Sequence, residues 1–130
     1  MIFPENIKEQ SAQLIDEEFH LEGGTLRIKN GVLIDGKLTN VTIMSMTDAP
    51  VIISALGRLS GCKVECVNFI NEGEFDGEVT ASENVEIKAS ATTRGTIQCG
   101  GKFYTEGNLG DGDYLKIRGL SKTKVQKINN

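Results

Sequence analysis

Three cysteines, one histidine and a few Asp-Gly pairs are the residues of this 130-residue chain whose types could do chemistry. Cys62 and Cys66 stand four positions apart, as in one half of a structural zinc site, but Cys99 is alone and no second ligand pair follows. A closed zinc site needs four ligands, so the spacing predicts no metal. His20 is the only histidine, which rules out a histidine cluster. Gly100-Gly101 and residues 107–112 are glycine-rich yet lack the lysine and the following helix of a phosphate-cradling loop. Asp111 and Asp113 flank Gly112, but aspartate also precedes glycine at Asp35-Gly36 and Asp76-Gly77. Recurrence at glycine marks them as corner formers rather than a general acid and base. The residues predict no enzyme, no catalytic residue and no cofactor.

The glycines belong to a larger pattern. Phe75-Asp-Gly77-Glu-Val79-Thr-Ala81 recurs as Thr93-Arg-Gly95-Thr-Ile97-Gln-Cys99 and as Gly110-Asp-Gly112-Asp-Tyr114-Leu-Lys116. Leu59-Ser-Gly61-Cys-Lys-Val64-Glu-Cys66 and Ile34-Asp-Gly36-Lys-Leu38 join the series, with Gly36, Gly61, Gly77, Gly95 and Gly112 placed 25, 16, 18 and 17 residues apart. Such a period points to a solenoid with one coil per unit. Within a unit, Val79 and Ala81 alternate with Glu78 and Thr80, and Val85, Ile87 and Ala89 with Glu86 and Lys88. Period-two alternation over short runs puts apolar side chains on one face of a strand. Coils stacked roughly 4.8 Å apart then pair in parallel. The reading is an all-β, single-domain parallel β-helix of about five to six coils. Parity and spacing fit either hand.

This alignment stacks Cys66, Ala81 and Cys99 in one interior column. Two coil spacings, roughly 9–10 Å, exceed the reach of a disulfide, so the thiols are expected to be small apolar fillers.

In chain order, residues 1–20 carry no alternation. Ile7, Leu14, Ile15 and Phe19 share one side of a helical wheel, which fits a short amphipathic helix capping the first coil. A flexible tail and a small membrane foot at Met1, Ile2 and Phe3 are the other readings. The β-helix domain spans residues 21–120, its first coil covering residues 21–38. The long interval predicts about eight extra residues looped out near residues 46–50, as a plain bulge or a binding loop. Residues 121–130 form a basic tail. Residues 1–22 carry a net −5 and residues 113–130 a net +4, against −4 for the whole chain. These are solvated termini, or else they guide contacts between ends electrostatically. The overall charge argues against nucleic acid as partner. No apolar run approaches the roughly 20 residues of a membrane span, and a cytoplasmic location is expected.

Asp35-Gly36-Lys-Leu38, the run from Phe75 to Ile87, and Arg94-Gly95-Thr-Ile97 resemble the repeats of bactofilins, bacterial polymer-forming cytoskeletal proteins. The likeness covers roughly residues 21–118. It implies a right-handed, three-sided β-helix that stacks end to end into filaments without nucleotide. It further implies scaffolding in cell shape or envelope growth, contacts with other envelope or cytoskeletal proteins, and in some members peripheral membrane contact through the amino terminus. The end coils of any solenoid expose unpaired backbone and apolar core. The expected self-assembly surfaces are Leu26, Ile28, Val32 and Ile34 at one end and Tyr114, Leu115, Ile117 and Leu120 at the other. Two alternatives differ in class. One is a capped, non-polymerising binding module, monomer or dimer, similar to the β-helical carboxy-terminal domain of bacterial division inhibitors. The other is a hexapeptide-repeat acyltransferase, disfavoured by the irregular interval and the peripheral histidine.

Overall fold

The computed structural model describes residues 3, 7–10, 13–106, 115–119 and 124–128. After a 3-10 turn at Ile7–Gln10, the chain winds as a parallel β-solenoid. The first winding holds β1 (Leu14–Ile15), β2 (His20–Glu22) and β3 (Thr25–Ile28), and the second β4 (Val32–Ile34), β5 (Lys37–Thr39) and β6 (Thr42–Ser45). From the third winding on, the second and third runs merge into one long strand. The pairs are β7 (Val51–Ile53) with β8 (Arg58–Cys66), β9 (Phe69–Asn71) with β10 (Glu74–Ala81), and β11 (Val85–Ile87) with β12 (Thr92–Cys99). Then come β13 (Lys102–Glu106), β14 (Leu115–Gly119) and β15 (Lys124–Ile128).

One sheet stacks β1-β4-β7-β9-β11-β13-β15, and the other runs β14-β12-β10-β8-β5-β2, with β3 and β6 continuing beside β8. The pairings among these strands are parallel, and from β8 to β12 the inward positions keep the register that the repeat predicts. In β14 they do not, since Leu115, Ile117 and Gly119 pair with Gly95, Ile97 and Cys99 where the repeat had set Gly112, Tyr114 and Lys116. Val79 faces Val64 on one side and Ile97 on the other, while Ala81 lies between Cys66 and Cys99. The interior is a set of such columns: Val32, Val51, Phe69, Val85 and Phe103 form one, and Leu38, Leu59, Phe75 and Thr93 another. These side chains are at most 2 % exposed. Asn71 enters the core with its amide partnered: Nδ2 donates to Thr93 Oγ1 at 2.8 Å, and Oδ1 accepts from the Gly73 N–H at 3.0 Å. A buried amide without such partners would be costly.

The glycine series proves to combine two corners. Gly36, Gly57 and Gly73 stack at the first corner, where Arg58 N–H donates to Gly36 O, Glu74 N–H to Gly57 O and Thr92 N–H to Gly73 O. Gly61, Gly77 and Gly95 mark the second, with φ of 65°, 153° and 110°, and there the second winding uses Asn40 at φ 55°. Asparagine is the residue after glycine that best tolerates this backbone region. Measuring from Gly36 to Gly61 therefore ran from one corner to the next, and the expected eight-residue insertion near residues 46–50 is not there. The extra residues are few and spread over that loop at the end of the second winding, the corner after Ile53 and a bulge at Gly61.

The amino-terminal segment also differs from expectation. In place of a helix capping a first coil at residues 21–38, Leu14 and Ile15 pair with Leu33 and Ile34 and supply a winding of their own. Two residues are too few for alternation to reveal a strand.

Candidate self-assembly surface

The solenoid's amino-terminal end is built by β1, β2 and β3. Among the described residues, each pairs on one side only, with β4, β5 and β6 respectively. The core columns end here on Ile15, Leu21 and Leu26, which lie under Ile34, Leu38 and Ile43 and stay half-exposed while packing on the core. Leu14 and Phe19 are exposed nearby, at 58 % and 44 %. Among the described residues the result is an apolar layer open on one side, bordered by three strand edges without a partner strand. Unpaired N–H and C=O groups beside apolar surface form a template for another chain.

The predicted end residues fall in different places. Leu26 belongs to this layer, and Ile28 is buried in the same strand. Val32 and Ile34 do not, because β4 is paired on both sides and both side chains are fully buried. The added first winding moves the end down by one layer. Ile15 and Leu21 take their place, and one signal announced the extra winding: Leu14-Ile15-Asp16 repeats as Leu33-Ile34-Asp35. At the other end, Leu115 and Ile117 sit in β14, whose backbone pairs with β12. Tyr114 and Leu120 lie outside the described residues, as do Met1 and Ile2 of the predicted membrane foot. Phe3 is described and is half-buried.

The three cysteines are buried thiols outside any disulfide. Burial pushes the Cys66 thiol up to about 12, with the neighbouring Cys99 adding to the rise. Burial also raises Cys62 and Cys99, partly offset by backbone hydrogen bonds. Cys99 Sγ donates to Glu83 O at 3.2 Å and Cys62 Sγ to Leu38 O at 3.4 Å. These thiols lack the electropositive, accessible setting that makes a thiolate reactive. Among the described residues, no three His, Cys, Asp or Glu side chains converge on a metal position, and no helix is long and apolar enough to cross a membrane.

The sequence matches the bactofilin family, described as polymer-forming cytoskeletal, over residues 13–114. That match begins one residue before β1, in agreement with a first winding that starts at Leu14. No curated protein and no solved structure matches the chain. The family match covers most of the windings and accords with the parallel solenoid: the chain belongs to the bactofilin family of polymer-forming cytoskeletal proteins.

Proposed function

We propose that the protein is a non-enzymatic scaffold that assembles without nucleotide into filaments by stacking the ends of its solenoid. The observation that carries this reading is the half-open layer of Ile15, Leu21 and Leu26 between the unpaired edges of β1, β2 and β3. A second copy seated there would continue the core columns and satisfy the edge backbone together, which is how windings already associate within the chain. Its site of action in this reading is the cytoplasm, with other envelope or cytoskeletal proteins as further partners and Met1, Ile2 and Phe3 as a contact to the membrane surface.

The test is sedimentation of the purified, nucleotide-free protein together with negative-stain images of the same samples. The parent chain is expected to form large species and filaments. Leu21→Glu, which places a charge in the open layer, is expected to sediment as small species. Leu56→Glu, at an exposed corner on the side of the solenoid, is expected to behave as the parent. Filaments unchanged by Leu21→Glu would remove this end from the assembly. A sharp monomer or dimer for the parent would favour the capped binding module.

A further inference from the structure

The sheet that begins with β1 has an outer face unlike the rest of the surface. Its strands alternate, with Val51, Ile53, Phe69, Val85 and Ile87 in the core, so Ile52 and Ile70 between them point outward. Yet Ile52 is 0 % and Ile70 2 % exposed, and neither belongs to the core cluster. Leu33 continues the row in register with Ile52, and Leu14 with Leu33. A solenoid face that met only water would not be expected to carry such an apolar row.

Phe3, Ile7 and Lys8 of the amino-terminal segment meet the two margins of this face. Phe3 and Ile7 line one hollow with Gly31, Ala49, Pro50 and Asn68, at the ends where β7 and β9 begin. The next residue, Lys8, places its Nζ 2.6 Å from Glu72 Oε2, just past the ends where β9 and β7 finish. From Ile7 to the tip of Lys8 the segment therefore spans the width of the strands that carry Ile52 and Ile70. Two apolar side chains anchor one margin, and an ion pair fastens the other. The Lys8 and Glu72 side chains are 44 % and 17 % exposed, so the pair is only partly withdrawn from solvent.

We propose that Phe3 and Ile7–Gln10 belong to a releasable strap that docks on its own chain over the apolar Ile52–Ile70 row, with Lys8–Glu72 as the latch that sets whether it is closed. The docking geometry suits release. One turn of 3-10 helix has little stability of its own. Its hold rests on Phe3, Ile7 and one half-exposed ion pair, which salt weakens. Opening would bare the row on the side of the solenoid while leaving the β1 pairing with β4, further along the chain, intact. This inference does not depend on how the ends assemble.

The chain has no tryptophan, so Phe3→Trp supplies a single fluorescent reporter on the strap. In that background the emission is expected to be blue-shifted relative to the same chain in urea. Adding Lys8→Glu is expected to lower the closed-to-open ratio by about five- to tenfold or more and to shift the emission to the red. The swap Lys8→Glu with Glu72→Lys is expected to restore it, and raised salt to mimic part of the loss. Ile7→Ser tests the apolar anchor without touching the charges, and should both shift the emission and increase binding of a hydrophobic dye as the row is bared. Far-UV circular dichroism of each variant checks that the windings are kept. An emission equal to that of the unfolded chain, indifference to Lys8→Glu, or failure of the swap to restore would overturn the latch. Unchanged dye binding by Ile7→Ser would overturn the covering of the row.

Discussion

Replacing Gly95 with alanine puts the corner geometry to a quantitative test. Gly95 stands at φ 110° directly over Gly77 in the next winding. A Cβ built there would run into the Gly77 carbonyl, with Gly77 N also within 3.1 Å. The backbone conformation alone costs an alanine about 1–3 kcal/mol. The collision adds to this, because the obstacle is backbone and no rotamer relieves it. Separating β10 from β12 at that point weakens one or two ladder hydrogen bonds, each worth about 1 kcal/mol. The expected loss is about 3–5 kcal/mol, a large share of the roughly 5–15 kcal/mol of a typical domain. Gly61→Ala is the matched control in an interior winding. Its φ of 65° also disfavours alanine, but the nearest obstacle is the Asn40 side-chain oxygen, which can swing away. There the strain, about 1–2 kcal/mol, should stand almost alone. Urea unfolding followed by far-UV circular dichroism, under conditions where the species is monodisperse, measures both. Equal losses for the two variants would refute the argument that backbone contact between windings, rather than φ, dictates glycine at position 95.

Two further predictions concern buried polar groups. Glu86 is 1 % exposed, its Oε1 lies 3.3 Å from Lys88 Nζ, and Lys88 also lies 3.5 Å from Glu106; Lys88→Met should therefore cost about 2–4 kcal/mol in urea unfolding by stranding a buried carboxylate, and adding Glu86→Gln should recover part of it. The raised Cys66 thiol keeps its proton in the folded chain while the unfolded chain ionises above the ordinary 9.0, so stability should be intact below pH 9 and fall as pH rises toward about 12. The slope should approach about 1.4 kcal/mol per pH unit for this group, and Cys66→Ala, which copies the Ala81 of the same column, should remove its share.

What the sequence made legible was the interior of the later windings. Val79, Ala81, Ile97 and Cys99 alternate with polar residues because one face of β10 and β12 meets the core and the other meets water. That contrast is what a period of two records, and it placed Cys66, Ala81 and Cys99 in one column. Where the contrast is absent the pattern falls silent. Val51-Ile52-Ile53 reads as an unbroken apolar run because its outer face is covered too. The proposed strap leaves no periodic signal either, since Phe3, Ile7 and Lys8 meet a hollow and an ion-pair partner supplied by other windings. The corners misled for a different reason. Asn40 does the work of Gly61, Gly77 and Gly95 in its winding, so an alignment on glycine alone passed over it and borrowed Gly36 from the neighbouring corner.

The first winding also bears on whether like or unlike ends meet in a stack. The open layer of Ile15, Leu21 and Leu26 is bordered by exposed Asp16, Glu17, Glu18 and Glu22. A contact between two such ends is self-complementary in shape, as a two-fold interface requires, but it sets carboxylates against carboxylates. A contact with the opposite end meets instead β14 and β15, whose sequences hold Lys116, Arg118, Lys124 and Lys127 and no acidic residue. The two arrangements respond to salt in opposite senses, because screening beyond about 8–10 Å relieves repulsion in one and weakens attraction in the other. Assembly that strengthens between low and high salt thus points to like ends joined, with the apolar layer supplying the attraction. Assembly that dissolves in salt points to head-to-tail stacking, in which the charge asymmetry of the chain sets the direction of the filament.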